Sequence, residues 1–183
     1  VMAGQGTIAL EILRDLPGVD MIFVPAGGGG LISGVAACAK QINPRIQIIG
    51  VQAEGAPAIA NSFRTGERTP SDTVHTIADG IAVKTPGEKT FEYIKKYVDR
   101  VVTVSDDEIA SAVLLLLERC KQVVETSGAA PLAAVLNNKV DVKAKGRMRA
   151  VRRQYRRVLY SQDCGKGPDY PLPSAEVLCA HAG

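Results

Sequence analysis

The chain has 183 residues, 46% of them hydrophobic and 22% charged, which suits one ordinary globular domain with a real core. A net charge of +3 is too small to specify a polyanionic partner, and the only two histidines, His75 and His181, exclude a histidine-rich metal site. Cys38, Cys120, Cys164 and Cys179 are widely spaced with no Cys-x-x-Cys pair, arguing against zinc or a disulfide framework, and no apolar run reaches the roughly 20 residues of a membrane span.

The first predicted element is an amphipathic helix from Thr7 to Leu16, with Ile8, Ile12 and Leu16 near one face and Pro17-Gly18 as its stop. Met21 to Val24 reads as a short buried strand. Pro25 and four glycines form a loop, and Leu31 to Ile42 is a second helix ended by Asn43-Pro44. Ile46 to Val51 is the second strand, and Ala56 to Phe63 is helical. Arg64 to Lys84 is irregular, rich in Gly, Thr, Pro and Ser. A helix from Glu88 to Tyr97 and a strand from Val101 to Val104 follow. Ser105 and Glu108 then have the spacing of a capping box, opening a helix that runs to about Cys120. The last helix spans Ala129 to Leu136 and stops at Asn137-Asn138.

Strands alternating with helices predict an α/β fold, a three-layer doubly wound and mostly parallel sheet. Three strands are few for such a sheet, so the chain reads as part of a larger domain. Its character changes near Lys143. Six arginines between Lys145 and Arg157 show no amphipathic order, and Pro168, Pro171 and Pro173 follow. No further strand or helix of a doubly wound fold is expected there. The domain boundary is therefore set between residues 1–142 and a basic, proline-containing tail at 143–183.

The strongest motif is Pro25-Ala26-Gly27-Gly28-Gly29-Gly30-Leu31-Ile32-Ser33-Gly34, led in by a strand and out by a helix. Glycines let backbone N–H groups converge without Cβ obstruction, and a helix N-terminus adds unpaired donors and partial positive charge. That combination suits a phosphate group. The Walker A spacing fails because no Gly-Lys-Ser/Thr follows. The dinucleotide pattern G-x-G-x-x-G fails from Gly27, Gly28 and Gly29, where a required glycine is Ile32, Ser33 or Leu31. Glu54 nevertheless stands where a ribose-binding acid is expected, so a nicotinamide-dinucleotide-binding Rossmann-like domain stays open as an alternative.

The glycine motif resembles the phosphate loop of the threonine ammonia-lyase and serine racemase group, which are fold-type II pyridoxal-phosphate enzymes. Gly4-Gln5-Gly6-Thr7-Ile8-Ala9-Leu10-Glu11-Ile12 and Gly50-Val51-Gln52-Ala53-Glu54 are similar to segments of that family, as are Asp79 to Lys84 and Val124 to Ala129. The resemblance covers residues 1 to about 142 in continuous order and favours threonine ammonia-lyase. It implies part of a fold-type II large domain, with pyridoxal 5′-phosphate as cofactor and the backbone of Gly27, Gly28, Gly29, Gly30 and Leu31 on its phosphate. Glu125 is implied near the cofactor ring. The implied reaction is β-elimination of threonine, an amino-acid substrate, to 2-oxobutanoate and ammonia. A homo-oligomeric, cytoplasmic full-length enzyme without a signal peptide is expected. Serine racemase-like members bind a divalent cation near the position of Glu54. Here Glu54 and the Ala58 carbonyl match two of the ligands, but Ala60 replaces the third, an aspartate, and no metal is expected.

Two family features are not found. The family's imine-forming lysine lies in an upstream Ser-x-Lys-x-Arg type segment; none of the lysines here has that context, so no catalytic residue is assigned. The family's Ser-Gly-Gly-Asn strand end is also missing, and Ala144 to Arg157 stand in its place. Shifting the codons of Val151-Arg152-Arg153-Gln154-Tyr155-Arg156-Arg157 by one base permits Ser-Gly-Gly-Asn-Ile-Asp-Val. We therefore hypothesise a single-base frameshift near Lys143; coding DNA whose shifted codons do not spell that motif would sink the idea. A remaining alternative is a non-catalytic module whose arginine-rich tail binds nucleic acid, which the scarcity of accompanying aromatics disfavours.

Overall fold

A computed structural model describes residues 1–141 together with the backbone of two short strands, 147–150 and 178–179. The elements run α1 (Met2–Asp15), β1 (Val19–Pro25), α2 (Gly30–Ile42), β2 (Gln47–Ala53), α3 (Ala58–Thr65), a 3-10 turn (Asp79–Ile81), α4 (Glu88–Tyr97), β3 (Arg100–Val104), α5 (Asp106–Cys120), α6 (Thr126–Leu136), β4 (Arg147–Ala150) and β5 (Leu178–Cys179). The strands form one sheet in the order β3-β2-β1-β4-β5, and every pair is parallel.

Both faces of the central strands are buried, and their side chains alternate between two cores as the period of two requires. Ile22, Val24 and Ile48 join one core with α1, α2 and α4. Phe23, Ile49 and Val51 join the other with α5 and α6. Sheet and two helical layers make the three-layer α/β architecture that the alternation of elements predicted. Full burial of each such side chain contributes about 1.5–3 kcal/mol.

Most boundaries follow local signals. Ser105 Oγ accepts from the Glu108 N–H at 3.2 Å and a Glu108 carboxylate oxygen accepts from the Ser105 N–H at 2.8 Å, so the predicted capping box starts α5. Helix α1 begins five residues earlier than Thr7, at Met2. Gly6 faces Gly34 of α2, and a Cβ on Gly6 would stand 3.4 Å from the Gly34 carbonyl oxygen. A tertiary contact between small residues thus supports a turn whose glycines argue locally against helix. Helix α6 likewise begins at Thr126 rather than Ala129.

The expectation of no further strand after Lys143 is corrected. β4 pairs with β1 through Met21–Met148, Ile22–Arg149 and Phe23–Ala150, and β5 pairs with β4. The free edge of β1 offers backbone donors and acceptors to an extended segment, and the four residues of β4 take them. Of the six arginines, Arg147 and Arg149 fall in β4, and the rest, with the shifted-codon segment at 151–157, lie outside the described residues.

The topology fixes where a ligand goes. From β1 the chain winds through β2 to β3, then returns across the sheet to β4 on the other side of β1. β1 and β4 flank the switch point, where crossovers leave in opposite directions and open a crevice at the strands' carboxyl ends. The glycine loop is the segment leaving β1 at that end.

Candidate functional site at the glycine turn

β1 ends with Pro25, and Ala26 still belongs to the ladder, its N–H donating to the Val51 carbonyl at 2.9 Å. Gly27 then passes against the 3-10 turn. A Cβ there would lie 3.2 Å from the Gly80 carbonyl oxygen and 3.2 Å from Ile81 Cα. The Gly28 carbonyl is turned away toward α4, accepting from the Gly87 N–H at 3.1 Å and from Thr90 Oγ1 at 2.7 Å. On the side where its own Cβ would stand, Gly28 meets nothing within 4 Å. Gly29 takes φ 93°, which disfavours a side chain, and a Cβ would approach Thr90 Oγ1 to 2.8 Å.

The start of α2 contrasts with that of α5. Gly29 is its N-cap residue and brings no side-chain acceptor, and its first turn holds no acidic residue. The Ser33 N–H and Oγ both donate to the Gly29 carbonyl, at 3.0 and 2.6 Å. The N–H groups of Gly30, Leu31 and Ile32 have no partner within a regular helix, and they carry its positive end. Such a turn, with open space at Gly28, can receive an anion of phosphate size.

Glu125 belongs to the same neighbourhood. It is the N-cap residue of α6, and a Cβ on Gly80 would stand 2.8 Å from Glu125 Oε1 and 2.8 Å from Ser127 Oγ. Gly80 therefore separates Gly27 from the Glu125–Ser127 pair by one backbone thickness. Ser127 is fully buried, and its hydroxyl has no hydrogen-bond partner among the described residues. A buried hydroxyl without a partner calls for a group to satisfy it. With the uncapped glycine turn, it suits a ligand that carries a phosphate and a further polar group.

Glu54 and Ala58 are placed elsewhere. Glu54 follows β2, its N–H donating to the Val104 carbonyl at 2.8 Å, and Ala58 opens α3. The Lys139 ammonium lies 2.9 Å from Glu108 Oε1 and 3.8 Å from Glu54 Oε1. No three His, Cys, Asp or Glu side chains gather into a possible metal site among the described residues. Lysine against carboxylate, with alanine at the third position, does not fit a divalent cation. The Glu108 hydrogen bond raises the Lys139 pKa above its ordinary 10.5; partial burial opposes the rise, and the charges of Glu108 and Glu54 assist it. A raised lysine pKa contributes stability below the unfolded value that is lost as pH climbs through the folded one. Lys139→Met is thus expected to cost at most about 1 kcal/mol at pH 7, because the pair is partly exposed to water. In urea melts, the gap between wild type and variant should narrow above about pH 10.5; a gap unchanged from neutral to strongly alkaline pH would contradict the assignment.

Three further residues escaped the sequence reading. Gln52 and Thr90 act through partners distant in the chain, Ala26 and Gly28, and Ser127 is singled out by its buried hydroxyl, unpartnered among the described residues. Only Gln52 gave a local signal, a polar residue inside an apolar strand.

No helix among the described residues is long and apolar enough to cross a membrane. The family model described as pyridoxal-phosphate dependent enzyme matches residues 1–151. The L-threonine ammonia-lyase of Thermotoga maritima is 55% identical over 145 residues, covering 79% of this chain and 36% of that protein. The catabolic L-threonine dehydratase TdcB of Escherichia coli K12 is 50% identical over 141 residues, covering 77% and 43%. Among solved structures, a T.th. threonine deaminase superposes with TM-score 0.73 at 38% identity, covering 75% of this chain and 51% of that one. Maize serine racemase gives TM-score 0.73 at 42% identity, covering 75% and 43%. The chain thus spans between about a third and a half of the length of these relatives. The match decides between the two phosphate ligands that spacing left open, in favour of pyridoxal phosphate. With its parallel sheet, its glycine turn at the switch point and this match over most of its length, the chain belongs to the pyridoxal-phosphate dependent enzyme family.

Proposed function

We propose that this chain is the phosphate-gripping part of a lyase that deaminates threonine to 2-oxobutanoate and ammonia by β-elimination. The observation that carries this is the glycine turn from Gly27 to Gly30 at the sheet's switch point, feeding an uncapped helix. Threonine as substrate is supported by the names of the relatives at 50–55% identity. The backbone from Gly27 to Leu31 binds the cofactor phosphate, aided by the positive end of α2. Gly80 keeps the space against Glu125 and Ser127 clear of a side chain. Glu125 and Ser127 border the ring end, where the Ser127 hydroxyl can donate or accept one hydrogen bond. When bound, the cofactor supplies an electron sink that eases loss of the proton on the substrate's α-carbon. Residues 1–142 form the body of this partial large domain, its sheet extended by β4 and β5, and the full-length enzyme is a cytoplasmic homo-oligomer.

The polypeptide of residues 1–183 has no lysine in the family's cofactor-binding context. It is expected to bind a phosphorylated cofactor analogue by calorimetry yet to produce no 2-oxobutanoate from threonine above background. Turnover in a preparation free of contaminating enzyme would contradict the assignment of no catalytic lysine.

A further inference from the structure

Gln52 is fully buried inside β2, between Val51 and Ala53, where the neighbouring strand residues are apolar. Both ends of its side-chain amide engage backbone. Nε2 donates to the Ala26 carbonyl at 2.9 Å, and Oε1 accepts from the Ala60 N–H at 2.8 Å. The partners fix the orientation of the amide, because a carbonyl needs the NH₂ end and an N–H needs the oxygen. One side chain thus ties the last ladder residue of β1 to the first turn of α3.

The position of Ala26 gives this clamp its consequence. The ladder between β1 and β2 runs out there, with the Ala26 N–H on the Val51 carbonyl. The Ala26 carbonyl would be the first acceptor left without a rung, and Gln52 takes it. The 26–27 peptide is planar and trans, so its carbonyl and the following N–H point in opposite directions. Holding the Ala26 carbonyl toward Gln52 aims the Gly27 N–H away from it. Gly27 cannot fix this orientation itself, because glycine constrains its own backbone least of all residues. Farther along the turn, Gly28 is pinned through its carbonyl by Gly87 and Thr90, and Gly29 by Ser33. Gln52 provides the corresponding restraint at the entrance.

We propose that Gln52 is the positioning residue of the phosphate cradle, setting the 26–27 peptide so that the Gly27 N–H is presented to the ligand's phosphate. This rests on the cradle binding the cofactor phosphate, as argued above. It predicts an effect on recognition of the phosphate, not of the ring.

The test uses the 183-residue chain with two probes lacking the aldehyde that would react with lysines: pyridoxine 5′-phosphate and pyridoxine. Calorimetry of wild type, Gln52→Met and Gln52→Glu gives the preference for the phosphorylated probe. Wild type should favour pyridoxine 5′-phosphate. Both variants at pH 8 should lose about tenfold in affinity for it while their pyridoxine affinity stays within about twofold. Gln52→Glu adds a readout that general loosening would not move. Its carboxylate lacks the donor for Ala26, but its protonated acid regains one donor and one acceptor. Its deficit relative to wild type should therefore shrink as pH falls, the phosphate's own titration cancelling between the two proteins. If Gln52→Met does not fold by circular dichroism, this pH-dependent recovery carries the test. Variants that keep the wild-type preference, lose both probes equally, or show a deficit flat with pH would overturn the role of Gln52 while leaving the cradle reading intact. A wild type with no preference for the phosphorylated probe would overturn the cradle reading and this inference with it.

Discussion

Gly34→Ala should destabilise the chain by about 3 kcal/mol, near the upper end for an overpacked core. A Cβ at this fully buried position in α2 would stand 2.3 Å from the Met2 carbonyl oxygen, 2.8 Å from Gln5 Cβ and 3.1 Å from the Gly6 nitrogen. Two of those neighbours are backbone, so no side-chain rotation relieves the clash. Helix α1 must move off α2, separating Ile8, Ala9 and Ile12 from the core they share with Val35 and Ala39. Gly18→Ala is the control, since a Cβ there meets nothing within 4 Å and φ is not positive. Urea unfolding should show a lower midpoint for Gly34→Ala with little change in slope, and Gly18→Ala within about 0.5 kcal/mol of wild type. Equal midpoints for the two would mean that α1 does not pack as described.

Gly28→Asp should act in the opposite sense on folding and on binding. Gly28 has no positive φ, and a Cβ would point into open space, so the backbone tolerates the change. A carboxylate beside the uncapped start of α2 is favourable by about 0.5 kcal/mol when no ligand is present. The same carboxylate would occupy the place of the phosphate and repel its charge. At a separation of about 4–5 Å and an effective dielectric of about 20, that repulsion amounts to several kcal/mol. Affinity for pyridoxine 5′-phosphate should therefore fall at least about 100-fold while the unfolding midpoint holds or rises slightly. Retained affinity would place the phosphate elsewhere.

How much of this was legible depends on where each signal resides. The extent of α4 and the start of α5 are written locally, in an amphipathic run beginning at Glu88 and in the Ser105–Glu108 box. The glycine turn was legible because four glycines between a strand and a helix are a local pattern with few physical uses. The first turns of α1 were not, because Gly6 is helical only by virtue of Gly34 across the interface. β4 was hidden because it lies in an arginine-rich stretch where the sequence offered no strand signal, and its pairing with β1 is a tertiary feature. The site's second half depends on the long irregular segment folding Gly80 between Gly27 and Glu125, a juxtaposition that no local spacing encodes. Glu125 entered through family resemblance, Ser127 became visible through its burial, and Gln52, a polar residue beside an apolar run, gained its role through its partners.

Phosphate binding at the glycine turn is most directly measured by nitrogen-15 NMR on glycine-labelled protein titrated with inorganic phosphate. The chain has 18 glycines, so each backbone amide can report separately. The largest shifts are expected on Gly27, Gly28, Gly29 and Gly30 along one saturation curve, and Gly28→Asp should abolish those of the other three. Unmoved amides at those four positions, with wild type folded and phosphate at millimolar concentration, would contradict binding there.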